Sequence, residues 1–212
     1  MWIKIIIIGL CSYLIGSIPF AFIIVKAVKK QDLRKIGSGN VGATNAMRVL
    51  GWKLGLLVLA LDFVKGLLPV ALVTYLFSDL IPFAQAPNFI KIFSGIAAIC
   101  GHVWTIFLSF KGGKGVATSA GVFSFLLPIP FLIALSIFII VVSIFKYISL
   151  GSMTAAVSVP LTTFYFTEYW DLRGVTIILA ALIIITHHSN IKRLVKGNEK
   201  RFSFRKSGEE RV

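Results

Sequence analysis

The sequence predicts an all-α polytopic membrane protein, a single domain over residues 1–212, with about seven transmembrane helices, the N-terminus outside and the C-terminus cytoplasmic. Three observations carry this reading. The chain is 57% hydrophobic and only 14% charged, whereas a soluble domain sits nearer half apolar and a quarter charged. The apolar excess gathers in runs of about 20 residues, the length that spans a bilayer. The formal charge of +14 falls between those runs, as Lys and Arg do on the cytoplasmic side of membrane proteins.

Taken in order, the first span is Trp2 to Val25. It is too long for the apolar stretch of a cleaved secretory signal and no clear small-residue cleavage site follows, so it is expected to be retained. A polar stretch, Lys26 to Lys53, precedes a second span from about Leu54 to Phe77. A short segment with Asp79, Pro82 and Pro87 turns the chain into a third span, about Phe89 to Phe110. After Lys111-Gly112-Gly113-Lys114-Gly115, the run Val116 to Phe145 is long for one helix, and Pro128 and Pro130 interrupt it. It reads either as one tilted span or as two short ones. The next spans are about Ile148 to Phe166 and Gly174 to Thr186, with a basic tail from His187 whose residues beyond about Lys200 resemble an extension.

Charge parity favours two short spans. With seven spans, Lys26–Lys53, Lys111–Gly115, Lys146–Gly151 and the tail share one side and hold seven, two, one and eight Lys/Arg, against Lys4, Lys91 and Arg173 opposite. With six, the large basic segments cannot share a side with the basic tail, against the positive-inside rule. The charge therefore fits topology and anionic membrane lipid rather than nucleic acid, for which there is no signature and no soluble domain. Cys11 and Cys100 lie in apolar runs and are expected to be buried, unpaired packing residues.

Three segments could carry chemistry. The first is Gly37-Ser38-Gly39-Asn40-Val41-Gly42-Ala43-Thr44-Asn45, followed by Arg48. Its glycines allow close backbone approach, successive amides in such a turn form an anion-binding nest, and Arg48 offers a fork suited to phosphate. Gly37, Gly39 and Gly42 formally make GxGxxG, but the dinucleotide fingerprint must follow a strand in a βαβ unit, and here a membrane span precedes it. The second is Lys111-Gly112-Gly113-Lys114-Gly115, where glycine amides and a lysine open an apolar helix, a ready phosphate site. No GxxxxGK[ST] can be drawn through Lys114. The third is His187-His188-Ser189-Asn190, which on a continuing helix puts His187 and Asn190 on one face.

Two in-span groups, Asp62 and Lys65, stand i,i+3 and must pair or find polar neighbours, either holding the fold or bracing the site. His102 follows Gly101 and is expected to face the interior; Ser152 starts a span on the same face as the three motifs. Three histidines and two in-span cysteines are a poor zinc set. There is no carboxylate cluster, no GxSxG and no Ser-His-Asp set, so neither metal nor cofactor is expected. The donors suit two anionic groups, or one large one, held beside lipid. A rival reading is a transporter or channel for phosphate-bearing anions, although no internal repeat of the transporter kind is visible; a non-enzymatic lipid-binding protein is another.

GSGNVGATNAMRVLG, LDFVKG, GHVWTIFLSFKGGKGVAT and HHSNIKRL, in this order, resemble the bacterial acyl-phosphate-dependent glycerol-3-phosphate acyltransferases, from Gly16-Ser17-Ile18-Pro19 to the tail. The resemblance implies transfer of a fatty acyl chain from acyl phosphate to the 1-hydroxyl of glycerol 3-phosphate, giving lysophosphatidic acid and phosphate in phospholipid synthesis. It implies membrane lipid and the enzyme that makes acyl phosphate as partners, a cytoplasmic-face site in the bacterial inner membrane, and no direct use of acyl-CoA. It also implies that Lys114, Ser152, His187 and Asn190 are catalytic, and that Ser38, Gly39, Asn40, Gly42, Thr44, Asn45, Arg48, Gly112, Gly113 and His188 hold phosphate. Asp62, Lys65 and His102 support them. Acyl phosphate is a mixed anhydride with a good leaving group, so positioning and charge stabilisation suffice without a covalent nucleophile. No carboxylate is expected near the motifs, which points to a donor phosphate oxygen rather than His187 as the base.

Overall fold

The computed structural model describes residues 2–77 and 88–202, and the helical expectation holds throughout them: no strand occurs among the described residues. The segment 78–87, with the expected turn at Asp79, Pro82 and Pro87, lies outside them, as do residues 203–212 of the tail. Ten α-helices follow one another: α1 Trp2–Ser17, α2 Phe20–Lys29, α3 Ala43–Leu50, α4 Trp52–Leu76, α5 Phe89–Val103, α6 Val116–Leu126, α7 Pro128–Phe145, α8 Ile148–Phe166, α9 Trp170–Thr186 and α10 His188–Val195. Among the described residues, four stretches are long and apolar enough to cross a membrane: Trp2–Lys29, Trp52–Leu76, Phe89–Leu108 and Pro128–Phe145. A fifth forms if α9 and α10, bent by 58°, are taken together.

The expected first span is broken, and the reason is Pro19. Proline lacks an N–H and clashes with the preceding turn, so α1 ends at Ser17 and α2 starts at Phe20. The carbonyls freed at the break need donors, because lipid supplies none. Thr105 Oγ1 donates to the Ser17 carbonyl at 2.6 Å, and Lys65 Nζ donates to the Ile18 carbonyl at 2.8 Å. The Lys65 ammonium in turn lies 2.8 Å from Asp62 Oδ1, both side chains buried. The buried ion pair therefore holds the fold: Lys65 caps a broken helix and Asp62 balances its charge.

Val116 to Phe145 forms two helices, broken at Leu127 just before Pro128. The 11 residues of α6 make a helix of only ~17 Å, about half the ~30 Å hydrocarbon core. α6 packs on α4, and α7 packs on α8. Small residues make the first contact possible, as is usual between membrane helices. A Cβ at Gly66 would lie 2.1 Å from the Thr118 carbonyl oxygen, and one at Gly121 2.0 Å from that of Phe63. Neither backbone can yield, so Gly121→Ala is expected to lower stability by about 1–3 kcal/mol, an overpacking cost. Thermal unfolding in detergent micelles, against Gly174→Ala at a position with open space around it, would show it.

A core of Val70, Ile99, Val122, Leu172 and Leu179 lies between α4, α5, α6 and α9. A second, with Val25, Leu33, Val41, Ala46 and Val58, ties α2, α3 and the loop between them to α4. Large apolar side chains cover the outside, among them Leu10, Leu56, Ile140 and Ile178, as expected where lipid replaces water. Cys11 belongs to this outer surface rather than to the interior, a correction to its expected burial; Cys100 is partly buried, and both are free thiols.

Candidate active site

The loop before α3 is organised by one side chain. Gly37 and Gly39 take positive φ, 66° and 73°, the conformation glycine adopts without strain. They fold the chain around Asn45, which is fully buried. Its Oδ1 accepts from the Ser38 amide at 2.8 Å, and its Nδ2 donates to the carbonyls of Ile36 and Asn40 at 3.1 and 3.0 Å. Two expectations are refined here. Asn45, expected as a phosphate ligand, also braces the loop from within while it borders the cavity. The amides of Ser38 and Gly39 are also spent, the latter on the Ile36 carbonyl, so they form no open nest. What this segment offers is side chains: Ser38, Asn40, Thr44 and Arg48 line the cavity.

The glycine pair works differently from its sequence reading too. The Gly112 amide donates to the Val103 carbonyl and the Gly113 amide to that of His102, each at 3.0 Å. The pair is stitched to the end of α5, and its amides are not free for phosphate. Glycine is required there for space: a Cβ at Gly112 would fall 2.0 Å from the His102 carbonyl oxygen. The open amides are those of the first turn of α6, which no helical carbonyl precedes. Lys114 projects beside them and donates to Asn190 Oδ1. Burial, reinforced by Arg193 and Arg48 and opposed by Glu199, lowers its pKa to about 8.

At the bend between α9 and α10, His187 is buried and its Nδ1 lies 2.8 Å from the Ile183 carbonyl oxygen. A carbonyl only accepts, so Nδ1 carries the proton and Nε2 keeps its lone pair. His188 is exposed at the rim. Asn190 is oriented by a group the motifs did not reveal. Its Nδ2 donates to Glu199 Oε1 at 2.6 Å; Ser149 Oγ donates to the same oxygen at 2.8 Å and Arg193 Nε to Oε2 at 2.6 Å. Burial pushes the Glu199 pKa up, but these three hydrogen bonds outweigh it and hold the carboxyl below its ordinary value. The only sequence signal was an acidic residue set among Arg193, Lys196, Lys200 and Arg201 in a basic tail. Beyond it, the Phe202 amide donates to the Lys146 carbonyl at 2.6 Å and Arg201 lies over the Tyr147 ring. The fold thus holds the tail to at least residue 202, past Lys200.

All three segments meet in one cavity of about 470 Å³, lined also by Ser152 on α8 and, at its floor, by Asp62 and His102. Lys65 does not reach it. The expectation of no nearby carboxylate is corrected: Glu199 and Asp62 both border the cavity, one engaged by three donors and the other paired with Lys65. Ser152 Oγ donates to the Ile148 carbonyl at 2.9 Å. A second cavity of about 330 Å³ adjoins the first and is almost wholly apolar, running between α4, α6, α7, α8 and α9 past Phe63, Phe123, Phe131, Ala134 and Val159. The two share Leu59, Val116, Ala117, Phe138 and Ser152, so a polar chamber opens into an oily groove. Among the described residues, no group of three His, Cys, Asp or Glu is placed to hold a metal.

Comparison with known proteins matches residues 6–197 to the family model described as glycerol-3-phosphate acyltransferase. A glycerol-3-phosphate acyltransferase of Trichlorobacter lovleyi is 47% identical over 191 residues, 90% of this chain and 94% of that protein. One of Fusobacterium nucleatum is 44% identical over 196 residues, 91% and 95% of the two chains. The crystal structure of PlsY, an integral membrane glycerol 3-phosphate acyltransferase, in its glycerol 3-phosphate form superposes with a TM-score of 0.86 at 38% identity, over 94% of this chain and 96% of that one. Its lysophosphatidic acid form gives 0.83 at 37%, over 95% and 96%. The chain belongs to the glycerol-3-phosphate acyltransferase family.

Proposed function

We propose that this membrane enzyme transfers a fatty acyl group from acyl phosphate to the 1-hydroxyl of glycerol 3-phosphate, releasing lysophosphatidic acid and phosphate for phospholipid synthesis. The observation that carries this is the junction of the two cavities. Both reactants bring a phosphate to the polar chamber, and only one brings an acyl chain, for which the groove is the apolar continuation. The reacting carbonyl then belongs at the shared mouth, by Val116, Ala117 and Ser152.

In the reaction, glycerol oxygen 1 bonds to the acyl carbon, the bond from that carbon to the phosphate oxygen breaks, and phosphate leaves with the electron pair. Lys114, Arg48 and Arg193 counter the charge of the two phosphates, and the first-turn amides of α6 face the developing negative charge. The hydroxyl proton passes to an oxygen of the donor phosphate. Support for this substrate-assisted step is that neither carboxylate is free and that burial, reinforced by the Lys114 charge, lowers the His187 pKa to about 4, which makes its open Nε2 a weak base. His187→Gln is therefore expected to turn over within about tenfold of the parent with an unchanged pH profile, against the roughly 10²–10⁴-fold loss on removing a general base. Steady-state rates from pH 6 to 9 decide between them.

The same reading assigns seven spans, with the N-terminus outside and the site at the cytoplasmic face of the bacterial inner membrane. Support comes from α6 and α7. Lys114, before α6, meets Asn190, and Lys146, after α7, meets Phe202, three residues beyond Glu199. The pair thus leaves the face of the site and returns to it, as two passes. It would receive acyl phosphate from the membrane-associated enzyme that makes it.

The test is direct: purified protein, acyl phosphate and glycerol 3-phosphate, with phosphate release followed. No release, with Lys114→Ala indistinguishable from the parent, would sink the proposal.

A further inference from the structure

The floor of the polar chamber contains an imidazole that the proposed reaction leaves unused. His102 is buried near the end of α5, 6% exposed. Its Nδ1 shares a hydrogen bond with Thr118 Oγ1 of α6 at 3.1 Å and lies 3.8 Å from Asp62 Oδ1 of α4. One edge of the ring is therefore fixed from two helices. The other nitrogen, Nε2, points beside Gly113, and a Cβ on that residue would fall 2.2 Å from it. The missing side chain is what leaves Nε2 open to the chamber, which His102 lines. No protein group is bonded to Nε2 among the described residues.

The upper chamber is cationic and answers phosphate. Its floor presents the open Nε2 of His102 in a buried setting, a single hydrogen-bonding position that matches a hydroxyl. A hydroxyl both donates and accepts, so it serves Nε2 in either tautomer. Glycerol 3-phosphate has two hydroxyls, of which the 1-hydroxyl attacks and the other has no partner assigned above.

We propose that His102 Nε2 holds the 2-hydroxyl of glycerol 3-phosphate, so that the ring selects the acceptor and turns the 1-hydroxyl toward the acyl carbonyl at the mouth of the groove. The inference rests on the acyl-transfer reading. A site built to bond a hydroxyl discriminates against an analogue lacking it, because the buried group is left unpaired.

The experiment compares glycerol 3-phosphate with 3-hydroxypropyl phosphate, which lacks only the 2-hydroxyl. The parent is expected to favour glycerol 3-phosphate by at least about 10-fold in kcat/KM. In His102→Ala that preference collapses toward one. His102→Asn keeps a group near Nδ1 for Thr118, and with it the packing, yet also loses the preference. His102→Gln reaches toward the position of Nε2 and retains it. A histidine that merely supports the fold would lower both acceptors alike and leave their ratio untouched, and that result overturns the proposal. So does a parent that does not distinguish the two acceptors. Release of no phosphate by the parent with either acceptor overturns the acyl-transfer reading, and this inference with it.

Discussion

Lys114→Ala is expected to lower kcat/KM by about 10³-fold, roughly 4 kcal/mol of transition-state stabilisation. Its ammonium lies at the start of α6, is held by Asn190, and faces the chamber where the proposed reaction brings two phosphates together. Nothing nearby can replace it: Arg48 and Arg193 approach from α3 and α10, and the first-turn amides carry only partial charge. The pH dependence follows from the same surroundings. Arg48, Arg193, His187, Glu199, Asp62 and His102 all border the chamber; burial is the largest influence, and it sets Lys114 near a pKa of about 8. In the free enzyme the cation is present below that value and is lost as pH rises through it. The parent's kcat/KM should therefore fall on the alkaline side of about 8. In kcat the limb should lie higher, because bound phosphate favours the charged form. Lys114→Arg keeps its charge at every accessible pH and should flatten the limb. Its planar fork does not reproduce a point ammonium, so much of the rate stays missing. A limb that is the same in parent and Arg variant would remove Lys114 from this role.

The second large effect is on stability. Lys65→Met is expected to cost about 3–5 kcal/mol, the cost of leaving one member of a buried ion pair alone. Asp62 would be stranded without a counter-charge, and the Ile18 carbonyl at the helix break would lose its donor. Asp62→Asn added to Lys65→Met should recover more than half of that loss, since the uncompensated charge is then gone. The unrecovered part measures the cap on Ile18. Equal unfolding temperatures for the single and double variants in detergent would show that the charge is not what matters.

Much of this was legible in the sequence because lipid demands long apolar runs. The extent of α8, Ile148–Phe166, could be read directly, and α4 was displaced by a residue or two. The three polar segments were recognisable by residue type, since compact donors and cations beside glycine have few other uses. What escaped depends on three-dimensional partners. Apolar residues face both lipid and core in such a protein, so pattern alone put Cys11 inside. A glycine written next to a lysine looks like an open amide, yet Gly112 and Gly113 give theirs to carbonyls of α5. The bracing role of Asn45 is invisible until its amide is seen filling the loop. Glu199 is nearly invisible in sequence, because its meaning comes from Ser149, Asn190 and Arg193, three residues brought to it only by folding.

The short length of α6 has a consequence for where the chemistry happens. α6 and α7 meet at the break at Leu127, yet one is ~17 Å long and the other ~27 Å. On the proposed topology the start of α6, with Lys114, lies about 10 Å nearer that break than the end of α7, in the depth range of the lipid tails. The oily reactant need not be raised toward water to meet its partner. Instead the small hydrophilic reactant descends a charged shaft to it, and the lipid product forms already immersed in the leaflet that will keep it.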